Sequence, residues 1–280
     1  MLNKETGVHS LSVVIITFNE EQNIRRCIES VRQVADEIIV LDSYSTDRTV
    51  EIARDLGAIV HSEKFRGYIG QKNYAMWLAS HNYILSLDGD EALDQTLTQS
   101  ILEAKKTFAH RAYSLNRCTS YCGHFIRHGL WYPDRKIRLF DRRIAAWGGL
   151  NPHDCIQLQK GFKIQHIEGE LLHYSYHTPD DLIWQNNRMS SIAATSLYAA
   201  GYRSNWFKML LRPTWAFVNG YLLKKGFLDG TDGFTIAVNT AHQVFLKYSK
   251  LYRLQRNNGK NNSVTIEKTY SQEQRPAAEK

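Results

Sequence analysis

The sequence predicts an α/β protein with a mostly parallel central sheet, followed by a helical, amphipathic C-terminal region. Three observations carry this. Over the first hundred residues, apolar runs of strand length alternate with segments of helical period, the pattern of right-handed βαβ units. From Arg111 to Tyr176 the pattern changes to short strand-like pieces and irregular stretches rich in His, Trp, Tyr and Gly, which suits a site-building region that completes the sheet. Beyond Asp181 the periodicity is helical almost to the end.

Each element has a local reason. Leu11 to Thr17 (LSVVIIT) is a β-branched run of buried-strand length, and Glu21 to Val34 places Ile24, Cys27, Ile28 and Val31 on one helical face. Glu37 to Leu41 is a second strand. Ser45, Thr46 and Asp47 supply caps for a helix running to Leu56, with Gly57 as its stop. Ala58 to His61 reads as a third strand, Gln71 to Ser80 as a helix, and Tyr83 to Leu87 as a fourth strand ending at Asp88. Asp181 to Ala200 is helical up to Gly201, and Asp232 to Arg253 is a long amphipathic helix. The Arg212-Pro213 step should bend or break a helix and leave an amphipathic piece on each side. From Asn257 the chain is polar and reads as a disordered tail, 257–280.

At 280 residues, 43% apolar and 22% charged, the chain can bury a core without staples. Four scattered cysteines argue against a disulfide scaffold and for a reducing cytosol. Met1 to Ser10 lacks the apolar core of a signal peptide, and no run is long enough to span a bilayer. The net charge of +7 is local: Arg203 to Arg256 holds nine basic residues against two acidic, interleaved with Trp206, Phe207, Leu210, Leu211, Trp215 and Tyr221. That mixture suits an anionic lipid surface, whereas a nucleic-acid stripe would need more exposed Lys and Arg. Trp206, Trp215 and Tyr221 are expected near the headgroups.

Ligands of parallel sheets gather at the carboxyl ends of strands. Here those ends read Thr17-Phe18-Asn19-Glu20-Glu21, Asp42-Ser43-Tyr44-Ser45-Thr46-Asp47 and Asp88-Gly89-Asp90-Glu91. GxGxxG is missing after the first strand, and GxxxxGK[ST] is missing altogether. A carboxylate-lined edge needs a divalent cation to hold a phosphate, and Asp88-Gly89-Asp90 supplies hard oxygen ligands suited to Mg²⁺ or Mn²⁺. The triplet alone would equally serve as an acidic turn capping the next helix.

SVVIITFNEE, ADEIIVLDSYSTDRTVEIARDLGA, GQKNYA and ILSLDGDE, in this order and spacing, resemble the nucleotide-sugar-binding half of family 2 glycosyltransferases, inverting enzymes with a GT-A fold. RHGLWYPDRKIRLFDR, PHD, LLHYSY and KKGFLDGTDGF extend the resemblance to bacterial lipopolysaccharide inner-core transferases, often β-1,4-glucosyltransferases, over roughly residues 11 to 252. The resemblance implies a GT-A domain over 1–180, with a donor-binding half at about 11–110 and an acceptor and catalytic half at 111–180. A helical membrane-associating region over 181–256 would follow.

It further implies that Thr17, Phe18, Asn19 and Glu20 line the nucleotide pocket, that Asp42 accepts a hydrogen bond from uracil, and that Lys72 lies near the donor. Asp88 would face the donor ribose or the metal, and Asp90 would be the principal metal ligand. An inverting transfer needs a general base. Asp154 of Pro152-His153-Asp154 aligns with the family's His-Glu pair, with Asp in place of Glu and one methylene less reach; Asp134 is the runner-up. The implied activity is transfer of a hexose, from UDP-glucose, to a lipid-linked core oligosaccharide on the cytoplasmic face of the bacterial inner membrane. The competing class is a non-catalytic, membrane-peripheral scaffold. Cys118, Cys122, His124 and His128 have poor spacing for zinc. The cysteines are expected to be small core residues and the two histidines polar groups of the acceptor cleft, while His173 is expected at the diphosphate or metal shell or as a satisfied structural histidine.

Overall fold

The structure is a computed structural model that describes residues 9–150 and 153–256. The expected tail and Pro152 of the Pro-His-Asp motif lie outside the described residues. The strands are β1 (Leu11–Thr17), β2 (Glu37–Asp42), β3 (Ile59–Ser62), β4 (Tyr83–Asp88), β5 (Glu91–Leu93), β6 (Ala112–Tyr121), β7 (His124–Phe125), β8 (Asp134–Asp141), β9 (Ala145–Leu150), β10 (His153–Leu158) and β11 (Ile164–Tyr176). Helices α1 (Ile24–Val31), α2 (Thr49–Asp55), α3 (Tyr68–Leu78) and α4 (Gln95–Lys105) are threaded between the early strands. Three long helices follow: α5 (Pro179–Ala199), α6 (Trp206–Phe217) and α7 (Gly230–Arg256).

The main sheet runs β3-β2-β1-β4-β8-β6-β11-β5, with β7 paired to β6 and a separate β9–β10 hairpin. Pairing is parallel from β3 to β4, and β8 then enters antiparallel to both β4 and β6. Parallel strands covered on both faces read as continuous apolar runs, and β1 shows why. Its Leu11, Val13 and Ile15 join the core beneath α1 and α4, while Val14 faces a second core with Ala75 and Met76 of α3. On α1, Ile24, Cys27, Ile28 and Val31 are all buried, as the helical spacing requires. This helix is shorter than the expected Glu21 to Val34 because the Glu20 carbonyl accepts the N–H groups of both Asn23 and Ile24, which closes a turn before the helix begins.

Two expectations are corrected. The stretch from Arg111 to Tyr176 is not made only of short pieces: β6 spans 10 residues and β11 spans 13, their polar and aromatic side chains standing on strands rather than loops. The Arg212-Pro213 step does not break its helix, which runs through Pro213 to Phe217 and continues as a π-helical turn over Val218–Leu223. Proline removes one hydrogen bond, but α6 buries none of its residues, so water can satisfy the freed carbonyl. α5 opens on a capping box between Thr178 and Asp181, and Lys250 of α7 donates to Asn187, Ser190 and Ser191 of α5.

The α4–β11 contact is close. Gly169 lies at a β11 bulge with φ +99°, and a Cβ there would come within 2.2 Å of the Leu97 amide nitrogen. Gly169→Ala is therefore expected to lower unfolding stability by about 2–4 kcal/mol. Urea denaturation checks this, and a loss under about 0.5 kcal/mol would show that β11 and α4 are free to separate.

Candidate functional site

The parallel strands deliver Thr17, Asp42 and Asp88 to one sheet edge, because β1, β2 and β4 are in register there: Thr17 pairs with Asp42, and Ile16 with Asp88. The order reversal between β1 and β4 makes this edge the switch point at which open α/β sheets take ligands. Asn19, at φ +54°, clasps the β2 loop: its amide donates to Ser45 Oγ (2.8 Å) and its Oδ1 accepts from Thr46 N (2.8 Å). Glu20 N donates to Thr49 Oγ1, and Phe18 is half-buried beside them. Asp42 is 1% exposed and accepts from both the amide and the hydroxyl of Ser45. Each of its oxygens keeps a second lone pair.

Asp88-Gly89-Asp90 is not a helix cap. β5 intervenes, and α4 is capped by Asp94, whose carboxylate accepts from Leu97 N (2.6 Å). A Cβ at position 89 would lie 2.9 Å from Thr17 Oγ1, so the backbone between the two aspartates approaches β1 as only glycine allows.

The carboxylates are compensated by cations from three elements. Lys72 of α3, 4% exposed, sets its ammonium 3.2 Å from Asp88 Oδ1 and 2.9 Å from Asp154 Oδ2. Arg138 of β8, 2% exposed, bonds Asp88 Oδ2 (3.2 Å) and Glu91 Oε1 (2.6 Å). Glu91 is fully buried and also accepts from Asp88 N. Arg117 of β6 lies 3.7 Å from Glu91 and 2.9 Å from Asp134, which Lys136 pairs from its other side at 3.0 Å. Burial pushes the Asp88 carboxyl up, but Lys72 and Arg138 outweigh it and hold the group well below the usual carboxylate range. Asp134 is half-buried and likewise lowered, by Arg117 and Lys136.

Within this network Asp90 stands apart. Its ion-pair partner is His173, whose Nε2 lies 3.2 Å from Asp90 Oδ2 and whose Nδ1 is 3.2 Å from Thr119 Oγ1. Burial raises the Asp90 carboxyl and His173 lowers it, leaving it below its ordinary value. No cluster of three or more His, Cys, Asp or Glu able to hold a metal occurs among the described residues. A divalent cation that keeps water and takes phosphate oxygens needs only one or two protein ligands, and the Asp90–His173 pair can provide them. Four polar atoms near this edge, Thr17 Oγ1, Asp88 Oδ1, Arg138 Nε and Trp147 Nε1, are buried without a hydrogen-bond partner among the described residues. Folded proteins leave few such atoms, and their clustering marks a place where a polar ligand completes the bonding.

Asp154 stands on β10 opposite Gly149, and the hairpin brings it to Lys72, so the acceptor-side candidate joins the donor-side carboxylates in one network. Asp134 lies at its far end beyond Arg117. Sequence reasoning missed Glu91, Arg117, Arg138 and Trp147; the signal available was that a buried acidic edge demands cations from elsewhere in the chain. The four candidate zinc residues do not converge. Cys118 is in the core, but Cys122 is exposed, and His124 and His128 bond Asp232 and Asp229 of the C-terminal helical region.

Sheet and site together define an α/β transferase of the GT-A type. The chain belongs to glycosyl transferase family 2, whose family model matches residues 12–168. It is 32% identical over 255 residues to an uncharacterised glycosyltransferase of Rickettsia typhi, covering 87% of each chain. It is 29% identical to the lipopolysaccharide core biosynthesis glycosyltransferase LpsC of Rhizobium meliloti, covering 87% of this chain and 92% of that one. Among solved structures, a mannosyltransferase of Pyrobaculum calidifontis in complex with GDP-Man and Mn²⁺ shares the fold, with a TM-score of 0.52, 14% identity and 88% of each chain covered.

Replacing Arg138 strands Asp88 and Glu91. Arg138→Leu should lower unfolding stability by about 3–5 kcal/mol, the cost of breaking a buried ion pair from one side. Chemical denaturation measures it, and a loss below about 1 kcal/mol would mean that Glu91 is compensated elsewhere.

Proposed function

We propose that this glycosyltransferase is metal-dependent and inverting, and that it moves a hexose, glucose from UDP-glucose, to a lipid-linked saccharide of the lipopolysaccharide inner core. The observation that carries the reading is the Lys72 bridge, which joins Asp88 on the donor side to Asp154 on the hairpin. The name of the Rhizobium relative supports the acceptor class. Thr17, Phe18, Asn19, Glu20 and Asp42 would line the nucleoside pocket, with Lys72 and Asp88 beyond them toward the diphosphate.

Asp90 and His173, with Asp88, would hold Mg²⁺ or Mn²⁺, which when bound neutralises charge on the departing diphosphate. Asp154 takes the proton of the attacking hydroxyl, and Lys72, 2.9 Å away, orients that carboxylate for it. Asp134, fixed between Arg117 and Lys136, is the less mobile candidate. Asp154→Asn is expected to lower kcat by about 10²–10⁴ with little change in donor affinity. Steady-state kinetics with a panel of nucleotide sugars checks this, and the same signature from Asp134→Asn alone would move the base there.

The C-terminal helices support a peripheral membrane role at the inner face of the inner membrane. No helix among the described residues is long and apolar enough to cross a bilayer. Yet α6 and the turn after it expose Trp206 (59%), Leu211 (60%), Trp215 (57%) and Leu223 (61%) beside Lys208, Arg212, Lys224 and Lys225. An exposed apolar surface rimmed with cations fits an anionic headgroup layer. Each cation near such a surface contributes about 1 kcal/mol, screened by salt. Replacing the four cations by Gln should weaken flotation with anionic liposomes and leave donor hydrolysis unchanged; equal binding to neutral vesicles would remove the electrostatic role.

A further inference from the structure

Asp88 and Asp154 share one ammonium although they belong to different parts of the fold. Asp88 has a second cation in Arg138, whereas the Asp154 carboxylate is paired with Lys72. The same turn of α3 also fixes the hairpin itself. Asn73 Nδ2 donates to the Trp147 carbonyl (2.9 Å) and Asn73 Oδ1 accepts from Trp147 N (3.0 Å), while the Trp147 ring lies 4.4 Å from Lys72 Nζ. Lys72 is thus held in place by its partners and nearly shut off from water.

We propose that Lys72 is a positioning residue that couples the two ends of glycosyl transfer, serving the base before the reaction and the leaving group after it. The inference rests on the reading of Asp154 as base given above. In the step, the acceptor oxygen bonds to the anomeric carbon, and the bond from that carbon to the β-phosphate oxygen breaks with its electron pair going to that oxygen. The acceptor proton goes to Asp154. One negative charge therefore disappears at Asp154 and one appears on the diphosphate. A fixed cation between the two stabilises the charge at both places, with no solvent rearrangement in a site where water would otherwise have to reorganise. Arg138 makes its ion pairs with Asp88 and Glu91 and acts on Asp154 only at longer range, so Lys72 is the cation in direct contact with both carboxylates among the described residues.

The test uses UDP-glucose as donor and deacylated lipopolysaccharide core oligosaccharide as acceptor. It compares kcat, KM, calorimetric UDP affinity and thermal unfolding for the wild type, Lys72→Arg, Lys72→Met, Asp154→Asn and the Lys72→Met/Asp154→Asn double variant. Lys72→Met should lower kcat by about 10²-fold and weaken UDP affinity by no more than about tenfold, and Lys72→Arg should recover all but about tenfold of the activity. The double variant should fall within about threefold of Asp154→Asn alone, because a base that accepts no proton gives the cation no charge to pass on. Losses that multiply, or a loss of UDP affinity equal to the whole loss in kcat/KM, would overturn the coupling and leave Asp154 as the base. Wild-type kcat in Asp154→Asn would overturn both. Lys72→Gln replaces the methionine variant if that protein does not fold.

Discussion

Carboxylates stand at the carboxyl end of β4 largely shielded from water, where burial works against the charge of Asp88 and Asp90, and most of the architecture around the site answers that constraint with cations. Glu91 has no exposed surface, and Asp88 has one oxygen without a hydrogen-bond partner. Ion pairs this deep contribute little net stability, but losing one partner is costly, so each cation must arrive with its element in place. Lys72 requires α3 against the sheet. Arg138 requires β8 beside β4, the antiparallel insertion that ends the parallel run, and Arg117 requires β6 beside β8. The donor edge is therefore not complete within the first hundred residues: the second half of the sheet contributes its charge.

The same balance singles out Asp90. Asp88, Glu91, Asp134 and Asp154 are each matched with a lysine or arginine, whereas Asp90 faces an imidazole that is itself a metal ligand by chemistry. A cation arriving with a nucleoside diphosphate would give Asp90 the close positive charge that lysine and arginine give its neighbours. Asp229 and Asp232 bond His128 and His124, tying the C-terminal helical region to β7 and the loop after it. Trp206, Leu211 and Trp215 of α6 are left exposed.

Fold and site were legible to different depths. β1 ran over Leu11–Thr17 as read, because strand length and β-branching leave little choice in a doubly covered parallel strand. Asp88, Lys72 and Asp154 were named from motif order, and the structure brings these three together. Asn19 and Asp42 were read as pocket residues without their second occupation, the clasp that joins the β1 and β2 loops through Ser45 and Thr46. Arg138 could not be singled out among the basic residues of Asp134–Arg143, because burial of one arginine in a strand depends on pairing across 50 residues of chain. The bonds of His124 and His128 were illegible for a similar reason: their partners, Asp232 and Asp229, lie about 100 residues away in the chain. Pro213 was overweighted because helix breaking by proline is a rule for interiors that must satisfy every carbonyl, and α6 is not one.

The central claim is that the edge is built for a nucleoside diphosphate together with a divalent cation at Asp90. Calorimetric titration of UDP into the full chain, with Mn²⁺ and again with EDTA, tests it without needing the acceptor. The account predicts binding with Mn²⁺ that weakens by about a hundredfold, roughly 2.7 kcal/mol, in EDTA, and an Asp90→Ala variant that gains nothing from the metal. Equal UDP affinity with and without the cation, or full metal enhancement in Asp90→Ala, would contradict it.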